Sequence, residues 1–519
     1  MEAQKRAQDN PPFSATRERF EGLLGVVGSE EWLAMTHADM EGALMVAGRE
    51  LMRTFYEELL AVRAAATVVE PVVGSDGVER THVRSRVRRL TSVFGEVEAR
   101  RDGYSARGTC SLFPVDGALN LPRESYSLGL RRMVAVEAAK VSYDEVAAAV
   151  AERTGVVVPK RQLEELVRRA AIDFGDFYEQ RAPAANTPTG ALLVLSTDGK
   201  GISMRRDDLR EATRKAAERR QPKLEKRLCK GEKTATRRMA QVAAVYTIEP
   251  FVRTPEEIVQ TLGPAPAEAP PQRRPPPLDK RVWASVAKDA DAVIGEAFAE
   301  AERRDPERAK RWVILVDGGE HQLRCIRRLC KHKKLKVTII VDIIHVIEYL
   351  WDAARVFHGE GTPEAEKYVS ERLLRVLQGK ASQVAGGMRR SATMQGLAAE
   401  RRRPVDGCAR YLLKYAKHLR YDEYLAAGYP IATGVIEGAC RYLVKDRMDI
   451  TGARWSLAGA EAVLRLRALR ASGDFDDYWA FHVAREHERN HLSSYANQAL
   501  PASQPASHGR SKPSLQVVS

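Results

Sequence analysis

Three apolar runs of this chain end in an aspartate. Leu192-Leu193-Val194-Leu195-Ser196-Thr197 leads into Asp198-Gly199-Lys200-Gly201, Trp312-Val313-Ile314-Leu315-Val316 into Asp317-Gly318-Gly319, and Lys336-Val337-Thr338-Ile339-Ile340-Val341 into Asp342. A strand interior is apolar, so an ionised carboxylate fits at its mouth, where water or a cation can meet it. In open α/β sheets, functional groups gather at the carboxyl ends of strands. Carboxylates within a few ångströms of one another repel; a divalent cation relieves that repulsion, and hard Mg²⁺ prefers such oxygen ligands. For any single Asp-Gly, a turn residue closing a strand is the plainer reading. Several such strands in one domain, with a basic surface around them, favour the metal. A fourth acid, Glu437, stands alone in the small, apolar stretch Thr433-Gly434-Val435-Ile436-Glu437-Gly438-Ala439-Cys440. It is either a metal ligand or an acid favoured by the macrodipole of a helix start, and the local sequence does not choose. His345 follows Asp342 by three residues, which puts both on one face of a helix start.

The elements around these residues can be read from periodicity and turn chemistry. Helical spacing runs through 15–70, with Phe20, Leu23, Leu24, Trp32, Leu33, Leu44 and Leu51 as the apolar positions. A shorter period over 78–115 predicts antiparallel strands, with turns at Ser75-Asp76-Gly77 and Arg101-Asp102-Gly103. Residues 126–173 return to helix. Ser142 and Glu145 form a capping-box pair, Thr154-Gly155 closes that helix, and Lys160-Arg161 opens the next. Helix, short turn and helix with a basic start read as a helix-turn-helix or as a plain helical hairpin. Pro183 to Thr189 is a linker by composition.

Beyond the first aspartate, Arg205 to Met239 reads as a basic helical stretch with 14 Lys/Arg against 6 Asp/Glu, a net +8 in 35 residues. A strand follows at Gln241–Ile248. Seven prolines between Pro264 and Pro277 make an extended loop, and a helix covers about 281–304. A basic helix at about 321–334 separates the last two strands, 343–425 is nearly all helical, and a final helix ends near 471. The expected domains are 1–70 (helical), 71–125 (β-rich), 126–182 (helix-turn-helix-like) and 190–345 (first part of the core, with the arm 205–239). They continue with 346–430 (helical insertion), 431–475 (end of the core) and a Ser/Pro/Gln-rich disordered tail, 498–519.

The 519 residues are 44% hydrophobic and carry a net charge of +14, with a pI near 9.5. Such a balance draws a protein to polyanions, nucleic acid being the commonest. Met1 to Pro12 is polar and unlike a signal peptide, and no apolar run approaches the roughly 20 residues that span a bilayer. The six cysteines, Cys110, Cys229, Cys325, Cys330, Cys408 and Cys440, form no CxxC pair, so reduced thiols in a cytoplasm are expected. Cys325, Cys330 and His332 lack the spacing of a standard zinc site.

The ordered set of motifs resembles insertion-sequence transposases of the ISKra group, related to the Mutator superfamily. The matching residues are Ser196-Thr197-Asp198-Gly199-Lys200-Gly201, the block Asp208-Leu209-Arg210-Glu211-Ala212-Thr213-Arg214, Lys230-Gly231-Glu232-Lys233, Val316-Asp317-Gly318, Asp342-Ile343-Ile344-His345, Gly434-Val435-Ile436-Glu437 and Thr451-Gly452-Ala453-Arg454-Trp455-Ser456. The resemblance covers roughly 110–480. It implies an α/β chain with an RNase H-like mixed-sheet core, interrupted by an all-helical insertion and preceded by a mainly helical DNA-binding region. It also implies a DDE triad of Asp198, Asp317 and Glu437 holding two Mg²⁺ ions, with Mn²⁺ as a substitute. Asp342 is an alternative second metal ligand, and His345 orients a ligand carboxylate, contacts the scissile phosphate or is a satisfied structural histidine. The family's ribbon-like cysteine pairs are missing, since Cys110 stands alone, and no zinc is expected.

The implied activity is metal-dependent cleavage at transposon ends and strand transfer into target DNA by a homo-oligomer in a prokaryotic, nucleoid-associated setting. Phosphate contacts are expected from Lys200, Arg205, Arg206, Arg210, Arg214, Lys215, Arg219, Arg220, Lys230, Lys233, Arg237 and Arg238 in and beside the arm, and from Lys160 and Arg161 in the helix-turn-helix. Arg454 and Trp455 could hold or stack an extruded base, with core packing the plainer role for the Trp. A transposase-derived repressor without catalysis and a stand-alone RNase H-like nuclease are the competing readings. A phosphatase or ATPase with an aspartate nucleophile is a third, but the chain has no Walker-type glycine loop.

Overall fold

The computed structural model describes residues 12–182, 190–219, 236–262, 274–450 and 452–504. Its contacts divide the chain into two compact units, Met1–Phe177 with Asp476–Ser519, and Tyr178–Phe475. The linker Pro183 to Thr189, the segment 220–235, most of the Pro-rich loop and 505–519 lie outside the described residues.

The first unit opens with helices α1 (Ser14–Val27) and α2 (His37–Ala64). A hairpin of β1 (His82–Ser92) and β2 (Gly95–Ser105) follows. Leu60 of α2 is buried against Leu90, Val97 and Ala99 of the hairpin. The turn lies at Val93-Phe94, not at Arg101-Asp102-Gly103, which is strand: Asp102 pairs with Ser85 and Gly103 with Arg84. Gly103 is there for space rather than for turning, because a Cβ would come within 2.6 Å of the Phe113 ring.

Helices α3 (Leu128–Ala138), α4 (Tyr143–Thr154) and α5 (Lys160–Ala170) pack on one another. The capping box is formed as expected: Ser142 accepts from the Glu145 N–H while Glu145 reaches back to the Ser142 N–H. Gly155 closes α4 at φ +72°, a conformation that disfavours any Cβ. Leu163, Leu166, Val167 and Ala170 form the buried face of α5. Arg131 of α3 is fully buried and donates to Glu486, 2.7 Å away. Part of the expected tail is ordered, because Ser503-Gln504 pairs antiparallel with Thr67-Val68.

The second unit is mixed α/β. Its sheet contains β3 (Leu192–Ser203), β4 (Arg237–Ile248), β5 (Leu278–Ser285), β6 (Arg311–Val316) and β7 (Val337–Val341), in the order β5-β4-β3-β6-β7. Strands β3, β4 and β5 are antiparallel neighbours, whereas β3, β6 and β7 run parallel. The parallel strands are continuous apolar runs, as strands covered on both faces must be; Val313, Leu315 and Val316 are fully buried. Helix α6 (Glu211–Glu218) lies between β3 and β4, α7 (Ala290–Arg304) precedes β6, and α8 (Glu320–Lys333) joins β6 to β7.

Three expectations need correction here. Strand β3 continues through Asp198 to Ser203, because the polar residues Asp198–Ser203 keep pairing with Arg237–Val242 of β4; Asp198 therefore lies inside a strand. The helix expected from about 281 begins at Ala290, and 278–285 is strand β5. Of the arm, only Glu211–Glu218 is α-helix among the described residues, and Arg237, Arg238 and Met239 belong to β4.

After β7 come α9 (Ile343–Phe357), α10 (Pro363–Leu377), α11 (Ala381–Met394) and α12 (Ala399–Tyr415). They form a helical layer in which α9 packs on α10 and α12, and α11 on α12. The chain returns to the sheet with α13 (Gly434–Ala439), which lies against β3 and β4, and then α14 (Leu457–Ser472), which covers β5. Among the described residues no helix is long and apolar enough to cross a membrane.

Candidate metal centre

Strand register aligns the three aspartates. Strand β3 pairs with β6 at an offset of 119 (Ser196 with Leu315), and β6 with β7 at an offset of 25 (Val316 with Val341). Continuing each ladder past its last pair sets Asp198 beside Asp317, and Asp317 beside Asp342. The Asp342 N–H still donates to the Val316 carbonyl at 2.8 Å. Neighbouring strands lie about 4.8 Å apart, so three acids occupy one row across the mouth of the parallel strands.

Asp342 is fully buried. Its carboxylate caps α9, accepting from the Ile344 N–H at 3.1 Å. It also accepts from the Thr433 N–H at 3.2 Å and from the Thr433 hydroxyl. His345 Nδ1 stands 3.3 Å from Asp342 Oδ2. That hydrogen bond holds the imidazole pKa up at about 9, against the opposing cost of burial. Glu437 is exposed as a residue, and the Thr433 hydroxyl reaches its Oε1 at 3.5 Å. Partial desolvation of the carboxyl raises the Glu437 pKa, and the charges of Asp342 and Asp198 push it the same way. Asp342, His345 and Glu437 can each offer one ligand atom within 4.8 Å of the others.

Asp198 and Asp317 flank this cluster without joining it at ligand distance among the described residues. Asp198 accepts from the Gly199 N–H at 2.6 Å and from the Cys440 thiol at 3.2 Å. Burial and the neighbouring Asp198 carboxylate push the Cys440 thiol pKa far up, so it is a donor. Asp317 Oδ1 accepts from the Gly319 N–H at 2.8 Å. The Asp317-Gly318 loop is fixed by α12, with Tyr411 donating to the Asp317 carbonyl at 3.2 Å and Tyr415 to the Gly318 carbonyl. Gly318 has φ +95° with the Tyr411 hydroxyl 3.3 Å from where a Cβ would be, so both conformation and space call for glycine. Asp198 and Asp317 line a cavity of ≈ 190 Å³ together with Gln241, His321 and Gln322.

The donor set fits a divalent cation. Partial burial, and after it the nearby carboxylates, raise Glu437 toward its neutral form, and a bound cation would favour the charged form. The glutamate that the resemblance assigned is thus beside Asp342 and His345, and Asp342, treated as an alternative ligand, sits at the centre. Sequence reading missed Thr433, Cys440, Tyr411 and Tyr415. Cys440 was within reach: it follows Glu437 by three residues, hence shares its helical face, and opens a π-helical stretch, Cys440–Lys445. Such stretches recur at functional sites. The tyrosines carry no local signal, since they lie 94 and 97 residues from the groups they hold.

The expected phosphate contacts divide into several groups. Arg205, Arg206, Arg210, Arg214, Lys215, Arg219 and Arg237 are exposed, and Lys200 and Arg238 half-buried. Several are also engaged in the fold. Arg237 pairs with Asp449 at 3.2 Å, Lys215 with Glu211 at 2.5 Å, and Arg238 donates to the carbonyls of Val286 at 2.8 Å and Asp208 at 3.1 Å. Arg220, Lys230 and Lys233 lie outside the described residues. In the first unit Lys160 and Arg161 are exposed at the start of α5, with Lys160 2.8 Å from Asp144. Arg454 is exposed, but Trp455 is buried: its indole donates to the Met448 carbonyl at 3.0 Å and the Arg447 guanidinium lies 4.8 Å from its ring. The Trp455 ring is thus packed in the interior, the plainer of the two expectations.

No protein-family model matches this chain, and no curated protein matches it.

Proposed function

We propose that this protein is a DNA transposase: a divalent-metal-dependent nuclease and strand transferase with an RNase H-like core. An antiparallel three-strand meander continued by two parallel strands supports that core, as does the helical layer between Asp342 and Glu437. The observation that carries the reading is the row of Asp198, Asp317 and Asp342 closed by Glu437, with Asp198 and Asp317 lining an open cavity.

In this reading Asp342 and Glu437, with His345, would hold one cation, and Asp198 and Asp317 would hold a second. Bound there, Mg²⁺ or Mn²⁺ supplies Lewis-acid charge and a lowered pKa for a coordinated hydroxyl. An imidazole nitrogen among the donors would make the first position less suited to hard Mg²⁺ than an all-oxygen set. The protein's own groups do the positioning. Thr433 and the start of α9 fix Asp342, Cys440 fixes Asp198, and Tyr411 and Tyr415 fix the Asp317 loop. Gln322 donates to the Thr197 carbonyl and hydroxyl, both at 2.6 Å, which ties α8 to β3 at the cavity wall. Exposed arginines of 205–219 grip DNA phosphates, and the helix pair α4 and α5 contacts DNA through Lys160 and Arg161.

The test is cleavage and joining of labelled DNA carrying the flanking terminal repeats, with Mg²⁺, Mn²⁺ or EDTA. Activity that needs metal and is lost in Asp198→Ala, Asp317→Ala, Asp342→Ala and Glu437→Ala supports the reading. Cutting without joining reassigns the protein to stand-alone nucleases. Salt-sensitive binding with no cutting makes it a DNA-binding protein and sinks the catalytic reading.

A further inference from the structure

The first unit holds a larger cavity of its own, ≈ 700 Å³, which the catalytic reading does not use. Arg80, Arg88, Arg101 and Arg123 line it with Asp76 and Asp116, four positive charges against two negative, a surplus of two. Arg80 is tied to Asp76 at 2.6 Å. Arg88 and Arg101 share the single carboxylate of Asp116, Arg88 at 3.8 Å. Arg123 is exposed and makes no ion pair among the described residues. Phe113 and Tyr495 supply an apolar wall next to these cations, with the Arg101 guanidinium 4.1 Å from the Phe113 ring.

Size separates this cavity from an ordinary interior salt-bridge cluster. Its volume is far more than a bare phosphate fills and lies in the range of small-molecule sites, about 300–1,000 Å³. Guanidinium groups match phosphate geometry, and a flat apolar wall accepts any base without choosing among them.

We propose that this cavity binds a nucleoside phosphate, with Arg123 and Arg101 at the phosphate and the Phe113–Tyr495 wall against the base. The experiment is titration calorimetry of the full chain in EDTA with thymidine 5′-monophosphate, thymidine and inorganic phosphate. The monophosphate should bind about tenfold or more tighter than phosphate, with thymidine giving no heat. Arg123→Glu should weaken monophosphate binding by about tenfold or more with the melting temperature kept. If that variant does not fold, Ser111→Trp, at an exposed position on the cavity lining, makes the same decision by filling the space.

A short oligothymidylate that competes assigns the ligand to a nucleic-acid strand; failure to compete assigns it to a free nucleotide. No binding by the wild type, equal binding of bare phosphate, or undiminished binding by the folded Arg123→Glu protein overturns the proposal. So does loss of monophosphate binding in Asp198→Ala, which would place the ligand at the carboxylate row. Retention there keeps this site separate from the fate of the catalytic reading.

Discussion

Tyr411 holds Asp317 by its backbone: the phenol on α12 donates to the aspartate carbonyl at 3.2 Å, while Tyr349 of α9 stacks on the same ring with centroids 4.2 Å apart. The helical layer is therefore attached to the mouth of β6 through the loop that carries Asp317.

Removing that attachment should cost rate before it costs fold. A Tyr411→Phe, Tyr415→Phe protein loses two hydrogen bonds worth about 1 kcal/mol each. We expect DNA cleavage to fall roughly tenfold, with the melting temperature shifted by only a few degrees. Rates equal to wild type would show that the Asp317 loop holds its position without α12.

Metal binding should follow the cluster rather than the sequence motif. Mn²⁺ titration should show one site strongly weakened by Glu437→Gln or Asp342→Asn, and only modestly changed by Asp198→Asn. The three variants weakening that site equally would mean that one ion is shared by the whole row.

DNA affinity should fall steeply with salt. Arg214 and Arg219 are exposed at the end of the described part of the arm. The double variant Arg214→Gln, Arg219→Gln should reduce the slope of log K against log salt by about 2, near 0.9 for each phosphate left without its guanidinium. An unchanged slope would leave the arm with no part in binding.

Trp455→Ala should act on stability. A buried tryptophan cut to alanine costs about 3–5 kcal/mol, so the variant should melt well below wild type. Phe at this position should restore most of the stability and the activity with it. Full stability with loss of DNA cleavage would restore the base-handling role.

Acid should weaken the second unit through Glu300. Burial alone would raise this carboxyl, but Arg281, Arg304 and Arg303 outweigh it and hold the pKa at about 2. Because the folded value lies below the unfolded one, the stabilisation is complete above roughly pH 4.5. It is lost as the pH falls toward 2. Glu300→Gln should lose about 3–5 kcal/mol at neutral pH by leaving buried guanidinium groups unpaired. Its deficit against wild type should shrink on acidification through that window. A deficit independent of pH would assign the loss to packing.

The parallel strands and their terminal acids were legible because continuous Val/Ile/Leu runs and Asp-Gly steps are local signals. The capping box at Ser142 and Glu145 was legible for the same reason. Strand β5 was not, since Leu278–Ser285 has three consecutive charged residues (Asp279, Lys280, Arg281) before its short apolar run and shows no period-2 alternation; it pairs with β4. The far half of β3 was hidden because Asp198–Ser203 is polar and glycine-rich, and the partner ladder alone decides its conformation. At the site, the acids could be named from sequence, but their grouping could not. Asp342 becomes central through Thr433, 91 residues away, a distance that no local pattern spans.

The strand ladders also bear on how this chain can change length. The acids are aligned by offsets between neighbouring strands, so the 119 residues from Asp198 to Asp317 and the 120 from Asp317 to Glu437 do not themselves set the geometry. The stretch between β4 and β5, or the turns between helices of the layer, could gain or lose residues across evolution with the carboxylates undisturbed. A single deletion inside β6 would instead shift Asp317 out of its row and turn every following side chain of that strand to the opposite face. Variation in natural length should therefore gather in the loops, and the six residues of β6 should behave as a fixed ruler.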